Sequence, residues 1–226
     1  MCNAEQLRKG KHNSCAVYAG LFIQSLFVIL LFANCSKKKQ VITDGLRVPD
    51  GYTIEKVAGA DMLSYPMFAS FDNSGRLFVF ESSGKTTSTE DILENPTFLI
   101  RVLEDENGDG IFDKSNVFAD KIPYPMGGAF YQGSLYVAAP PNLMRLTDTD
   151  GDGVADKRDI ILSGWIFHHN GATLSGPFIG PDGWFYMADA RRGFNIKTKE
   201  GDSLKGKGAR IWRCRPDGTG LESISG

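Results

Sequence analysis

Two histidines stand side by side in the run GWIFHHNG (164–171), and His168 and His169 are the residues best suited to move a proton near neutral pH. An imidazole at the rim of a folded domain can act as general base toward a substrate hydroxyl. Asn170 follows directly and could orient a substrate oxygen; Arg191 and Arg192 follow the next aromatic strand, where a loop would begin. The plain alternative is one histidine packed on Trp165 or Phe167 and the other left in solvent.

A second chemistry is written in two Asp- and Gly-rich loops. In one, Asp148, Asp150 and Asp152 fall on alternate residues, Gly153 follows, and Asp156 and Asp159 complete a twelve-residue spacing. In the other, Asp105, Asn107 and Asp109 alternate, followed by Gly110 and Asp113. Oxygens on alternate residues can converge on one hard cation while the glycine permits a sharp turn, which is how calcium loops work. Asp and Gly are also the residues of ordinary hairpin turns, and that is the competing reading.

Such residues need a scaffold, and the chain has the length for one: 226 residues, 42% hydrophobic and 23% charged, a globular composition. The 25 Lys and Arg against 27 Asp and Glu leave a formal net charge of -2, with no basic footprint for nucleic acid, which is not expected as a partner. With 26 Gly, 10 Pro and 11% aromatics, short strands and tight turns are favoured over a helical bundle.

The strands recur as a unit. FASFDNSGRLFVFE (68–81), GAFYQGSLYVAA (128–139) and GPFIGPDGWFYMAD (176–189) each read as an apolar strand, a Gly turn and an aromatic strand, with Gly75, Gly133 and Gly183 at the turns. Each is followed by a second strand pair, at 98–120, 143–162 and 209–225. Four strands per repeat, three times over, predict an all-β fold: a partial β-propeller of about three four-stranded blades. A β-sandwich is the alternative. VPDGYTIEKVAG (48–59) reads as a lone strand ahead of the first blade. Because propellers close with about 4–8 blades, the chain is expected to be the N-terminal part of a longer ring.

The first 34 residues read as a different object. Arg8, Lys9 and Lys11 precede 18 uncharged residues, Ala16 to Ala33, and then Asn34, Cys35 and a lysine run. This pattern resembles bacterial lipoprotein signal peptides, which implies lipidation of Cys35, a linker over 35–45 and a propeller domain over 46–226. An uncleaved anchor is the alternative, since 18 residues stand at the threshold for crossing a bilayer. Both place the body outside the cytoplasm on a membrane. Cleavage would leave Cys214 as the single free thiol, so no internal disulfide is expected.

The order of the pair His168-His169, the turn Gly180-Pro181-Asp182-Gly183 and Tyr186 resembles the quinoprotein glucose/sorbosone dehydrogenase propellers. The opening VPDGY (48–52) and the DTDGDG loop (148–153) are similar to bacterial membrane-bound dehydrogenase-like lipoproteins of the haem-binding kind, over about residues 46–226. The resemblance implies oxidation of a sugar or alcohol, with His169, ahead of His168, taking the hydroxyl proton while hydride passes to pyrroloquinoline quinone. It also implies calcium and a cytochrome c electron acceptor. No Cys-x-x-Cys-His is present, so covalent haem is not expected on this chain. The other function class left open is a calcium-stabilised propeller that binds carbohydrate or a protein without chemistry.

Overall fold

The computed structural model describes residues 45–171 and 173–225. The chain divides into two compact units, Met1–Glu55 and Lys56–Gly226. The described part of the first holds a turn in which the Tyr52 N–H donates to the Pro49 carbonyl. The expected signal segment, Cys35 and the 35–44 stretch of the expected linker lie outside the described residues. Among the described residues no helix is long and apolar enough to cross a membrane.

The second unit is all-β. Its first sheet joins β1 (Pro66–Phe71), β2 (Leu77–Glu81), β3 (Phe98–Glu104) and β4 (Lys114–Ile122), each antiparallel to the one before. The second joins β5 (Gly128–Tyr131), β6 (Ser134–Ala139), β7 (Asn142–Thr147) and β8 (Lys157–Ser163) in the same order. The third begins with β9 (Ser175–Ile179) and β10 (Phe185–Asp189), is interrupted by a separate hairpin of β11 (Phe194–Lys197) and β12 (Ser203–Gly206), and ends with β13 (Arg210–Cys214) and β14 (Glu222–Ser225). A six-residue helix, α1 (Thr89–Glu94), lies between β2 and β3.

All six predicted hairpin pairs are present, and Gly75, Gly133 and Gly183 each take a positive φ at the turn they were expected to make. Two details differ from the reading of the sequence. Residues 48–59 form no strand: of the backbone groups there that lie in the second unit, the Val57 carbonyl accepts from Phe112, too little for a ladder. The adjoining segment, Gly59–Ser64, turns over the first sheet instead, where the Ser64 N–H donates to the buried Glu81 carboxylate. The same carboxylate takes a bond from Arg101 (2.9 Å), so the charge is buried with its partners. The β11–β12 hairpin was also not anticipated; it splits the third repeat between its second and third strands.

The repeated aromatic positions explain why the sheets stack. On β2, Phe78 and Phe80 point to one face, and they join Leu135, Val137 and Ala139 from β6 in one buried cluster. The other face of β6 carries Tyr136 and Ala138, which join Phe185 and Met187 of β10 and Trp212 of β13 in a second. Burying each large apolar side chain contributes about 1.5–3 kcal/mol, so the inter-sheet seams hold the unit together. Close approach is permitted by glycine: a Cβ at Gly128 would sit 2.7 Å from both the Phe80 ring and the Tyr136 carbonyl oxygen.

A meander alternates its turns between two ends. The turns β1–β2, β3–β4, β5–β6, β7–β8 and β9–β10 lie at one end; the β2–β3, β4–β5 and β8–β9 connections lie at the other. The sheets stack in the same sense, since Gly127 ahead of β5 meets Gly176 near the start of β9, and Tyr131 at the end of β5 meets Phe185 beyond β9. Both Asp-rich loops therefore occupy the rim opposite the histidines.

Candidate functional site

The histidine rim is built from three connections. The β8–β9 connection carries His168 and His169, the β2–β3 connection carries α1, and the β4–β5 connection carries Tyr124. An apolar floor joins them: Ile92 of α1, Phe98 and Phe167 form a small buried cluster with Tyr124 against it. The Tyr124 ring lies 5.1 Å from Phe98 and 5.3 Å from Phe167. Phe167 thus fills the core, and the two histidines after it emerge at the surface.

The histidines are not equivalent. Their rings stack at 4.3 Å with 27° between planes. His168 Nδ1 accepts the Asn170 N–H at 3.4 Å, which ties that imidazole to its own turn. His169 is exposed, and its Nδ1 lies 3.0 Å from the Thr89 hydroxyl, which also accepts the His169 N–H at 3.2 Å. Thr89 is the first residue of α1, which is capped by the Ser88 hydroxyl accepting the Asp91 N–H. Glu90 beside it is held below the ordinary carboxylate range by the helix-end N–H, the Ser88 hydroxyl and the nearby imidazoles of His169 and His168.

His169 lines a cleft of about 190 Å³. Its walls carry Ser82, Lys85, Thr86, Thr87 and Tyr124, and Ile92 and Phe98 close its floor. Hydroxyls and one ammonium over an apolar base suit a small, hydroxylated ligand. Pyrroloquinoline quinone does not fit here. It is a tricyclic tricarboxylate, whereas the cleft is below the roughly 300–1,000 Å³ of sites for ligands of that size and offers Lys85 as its one lysine or arginine.

The other expected substrate residues part company with the cleft. Asn170 sits at the exposed tip of the histidine loop. Arg191 is exposed, and Arg192 turns inward, its Nε buried beneath the loop beside Trp165, Thr173 and Asp189. Asp189 is pushed above its ordinary value by burial, opposed by the Arg210 N–H it accepts at 2.7 Å. Trp212 lies close by but outside hydrogen-bonding geometry. The Gly180–Gly183 turn lies on the far rim, where Asp182 accepts the Tyr186 hydroxyl at 2.8 Å.

On that far rim, the β7–β8 loop brings Asp148, Asp150 and Asp156 together, one carboxylate oxygen of each within 4.8 Å of the others. That spacing matches oxygens around a hard cation. Burial pushes the Asp148 carboxyl up, but N–H bonds from Gly153, Gly151 and Asp152 outweigh it and leave it below its usual value. Asp152 turns to the Val154 N–H (2.8 Å), and Asp159, already within β8, pairs with Arg145 at 2.6 Å. The twelfth-position ligand is lost because the strand resumes before it. In the β3–β4 loop, Asp105 accepts from Gly108 and Gly110, Asp109 from Ile111, and Asp113 from Glu106 and Asn107. No triad of acidic oxygens forms there among the described residues.

Three four-stranded meanders stacked face to face, with a histidine cleft on one rim and an acidic triad on the other, define an all-β protein of the propeller kind. Residues 38–226 match the family described as "Domain of unknown function (DUF7133)", and the chain belongs to that family. No curated protein matches the chain.

Thr89, Glu90, Lys85 and Tyr124 were missed by sequence reasoning. The first two had a signal: Ser88 three residues before Asp91 is a helix-start pattern. Nothing local in the sequence links Thr89 to His169.

Proposed function

We propose that the protein is a lipid-anchored propeller of the glucose/sorbosone dehydrogenase-like kind, held outside the cytoplasm, whose rim cleft binds a sugar or alcohol through a hydroxyl. The observation that carries this reading is His169, lining the cleft with its Nδ1 against Thr89. The Thr89 oxygen has two lone pairs. The oxygen accepts the His169 N–H, and in the tautomer whose Nδ1–H donates to its other lone pair the imidazole presents Nε2 as an acceptor that can take a substrate hydroxyl proton. Glu90, next to Thr89 on α1, places a carboxylate near both imidazoles.

The two-electron acceptor for oxidising that hydroxyl, pyrroloquinoline quinone by resemblance, would have to stand at the mouth of this cleft, against the carbinol carbon that gives up the hydride, and a cytochrome c would be the onward route. The cleft residues themselves carry hydroxyl binding and the proton. A second reading, a calcium-stabilised propeller that binds carbohydrate or a protein without chemistry, is favoured by the Asp148, Asp150 and Asp156 triad on the rim away from His169.

Dye-linked oxidation of aldoses by the full chain, with added quinone and calcium, separates them. Turnover that His169→Ala abolishes supports the dehydrogenase; sugar binding without turnover supports the binding module. The anchor is tested by labelling with radioactive palmitate: the wild type should take label and Cys35→Ala should not.

A further inference from the structure

Tyr124 lies in the same cleft as His169, and four observations set it apart. It precedes Pro125, which steers the residue before it toward extended backbone. It nonetheless holds φ at +43°, a left-handed conformation uncommon for a non-glycine residue and one that tends to collect at functional sites. Its ring is fixed between Phe98 and Phe167, one from the first sheet and one from the histidine connection. Its hydroxyl reaches toward the histidine loop: a Cβ built on Gly171 would stand 3.4 Å from it.

That hydroxyl belongs to a side chain lining a polar cleft. A phenol so placed offers one donor, two lone pairs and an aromatic edge. A ligand with one hydroxyl can satisfy His169 alone. A ligand with several can satisfy His169 and Tyr124 together, while its C–H surface rests on the apolar floor of Ile92 and Phe98.

We infer that Tyr124 is a specificity-determining residue of the cleft, which selects polyhydroxylated ligands, monosaccharides and polyols, over simple alcohols. This rests on the reading of the His169 cleft as a hydroxyl-binding site and narrows its ligand class. Packing of the Tyr124 ring against Phe98 and Phe167 makes the selection cheap in entropy, because the aromatic group is in place beforehand.

The test is calorimetric titration of the full chain with D-glucose, glycerol and 1-propanol, for wild type, Tyr124→Phe and His169→Ala. Tyr124→Phe keeps the ring and its packing and removes only the hydroxyl. It should weaken glucose and glycerol by about three- to tenfold and leave 1-propanol unchanged. His169→Ala should weaken all three. If His169→Ala weakens binding and Tyr124→Phe does not, the role given to Tyr124 is wrong while the cleft stands. If neither variant changes binding, the cleft reading itself fails. Far-ultraviolet circular dichroism of each variant shows that the fold is retained.

Discussion

His169 Nδ1 lies 3.0 Å from the hydroxyl of Thr89, a residue 80 positions earlier in the chain and in a different sheet's connection. The contact orients the imidazole from outside its own loop, as a second residue must if the ring is to keep one tautomer. Thr89→Val keeps the shape of the side chain and removes the oxygen. Ligand affinity or turnover should fall by about tenfold, with thermal stability lowered by no more than about 1 kcal/mol. Thr89→Ser should restore the function.

The acidic triad gives a separate prediction. Asp150→Asn removes a ligand charge from the group of Asp148, Asp150 and Asp156 and should weaken calcium binding on the order of tenfold. Asp159→Asn should leave it unchanged, because that carboxylate is spent on Arg145. Terbium luminescence or calorimetry reads both.

Gly164 stands where the histidine connection leaves β8, with φ at +124° and space for a Cβ only 2.1 Å from the Asn195 carbonyl oxygen. Around it, the Gly164 carbonyl accepts the Asn195 N–H and the Gly193 carbonyl accepts the Ile166 N–H, so the β11 segment is stitched to the base of the histidine loop. Gly164→Ala should cost about 2–4 kcal/mol of stability, measured by denaturant unfolding. Tyr131, in the second sheet's hairpin, should keep its contact with Phe185 in the same variant.

Acid stability follows from Asp72. Burial alone would raise its carboxyl, but the Arg76 guanidinium, the Ser74 hydroxyl and two backbone N–H groups outweigh that and hold it below the usual value. A carboxyl depressed in the folded state contributes stability that is fully present above its unfolded value, near 3.8, and is lost as pH falls through the folded one. Asp72→Asn should therefore be less stable than wild type at about pH 6, with the difference shrinking as pH falls below the unfolded value near 3.8.

Much of the fold was legible because each repeat states itself locally. Gly75, Gly133 and Gly183 mark turns that need a positive φ, and the strands beside them alternate buried aromatic and aliphatic residues. The β11–β12 hairpin was not legible because its partners, Gly164 and Trp165, lie about thirty residues upstream and no periodicity announces that pairing. The lone strand at 48–59 read as a strand from composition, but a strand exists only with a partner ladder.

The site was legible in residue type and less so in geometry. Residue type and spacing named His168, His169 and both Asp-rich loops as candidates, whereas the gathering of Asp148, Asp150 and Asp156 is a matter of loop geometry. Spacing could not say that β8 resumes before Asp159, or that Arg192 turns under the loop rather than toward the cleft. Thr89 meets His169, and Tyr124 lines the same cleft, only through tertiary packing.

The measurement that bears most directly on the central claim is histidine-selective NMR of the full chain during titration with D-glucose. Binding at the cleft predicts that the His169 imidazole signals move with saturation, that His168 moves less, and that Thr89→Val weakens the response. Glucose that leaves the His169 signals unmoved up to the highest concentration reached, or moves them equally in Thr89→Val, would contradict the account.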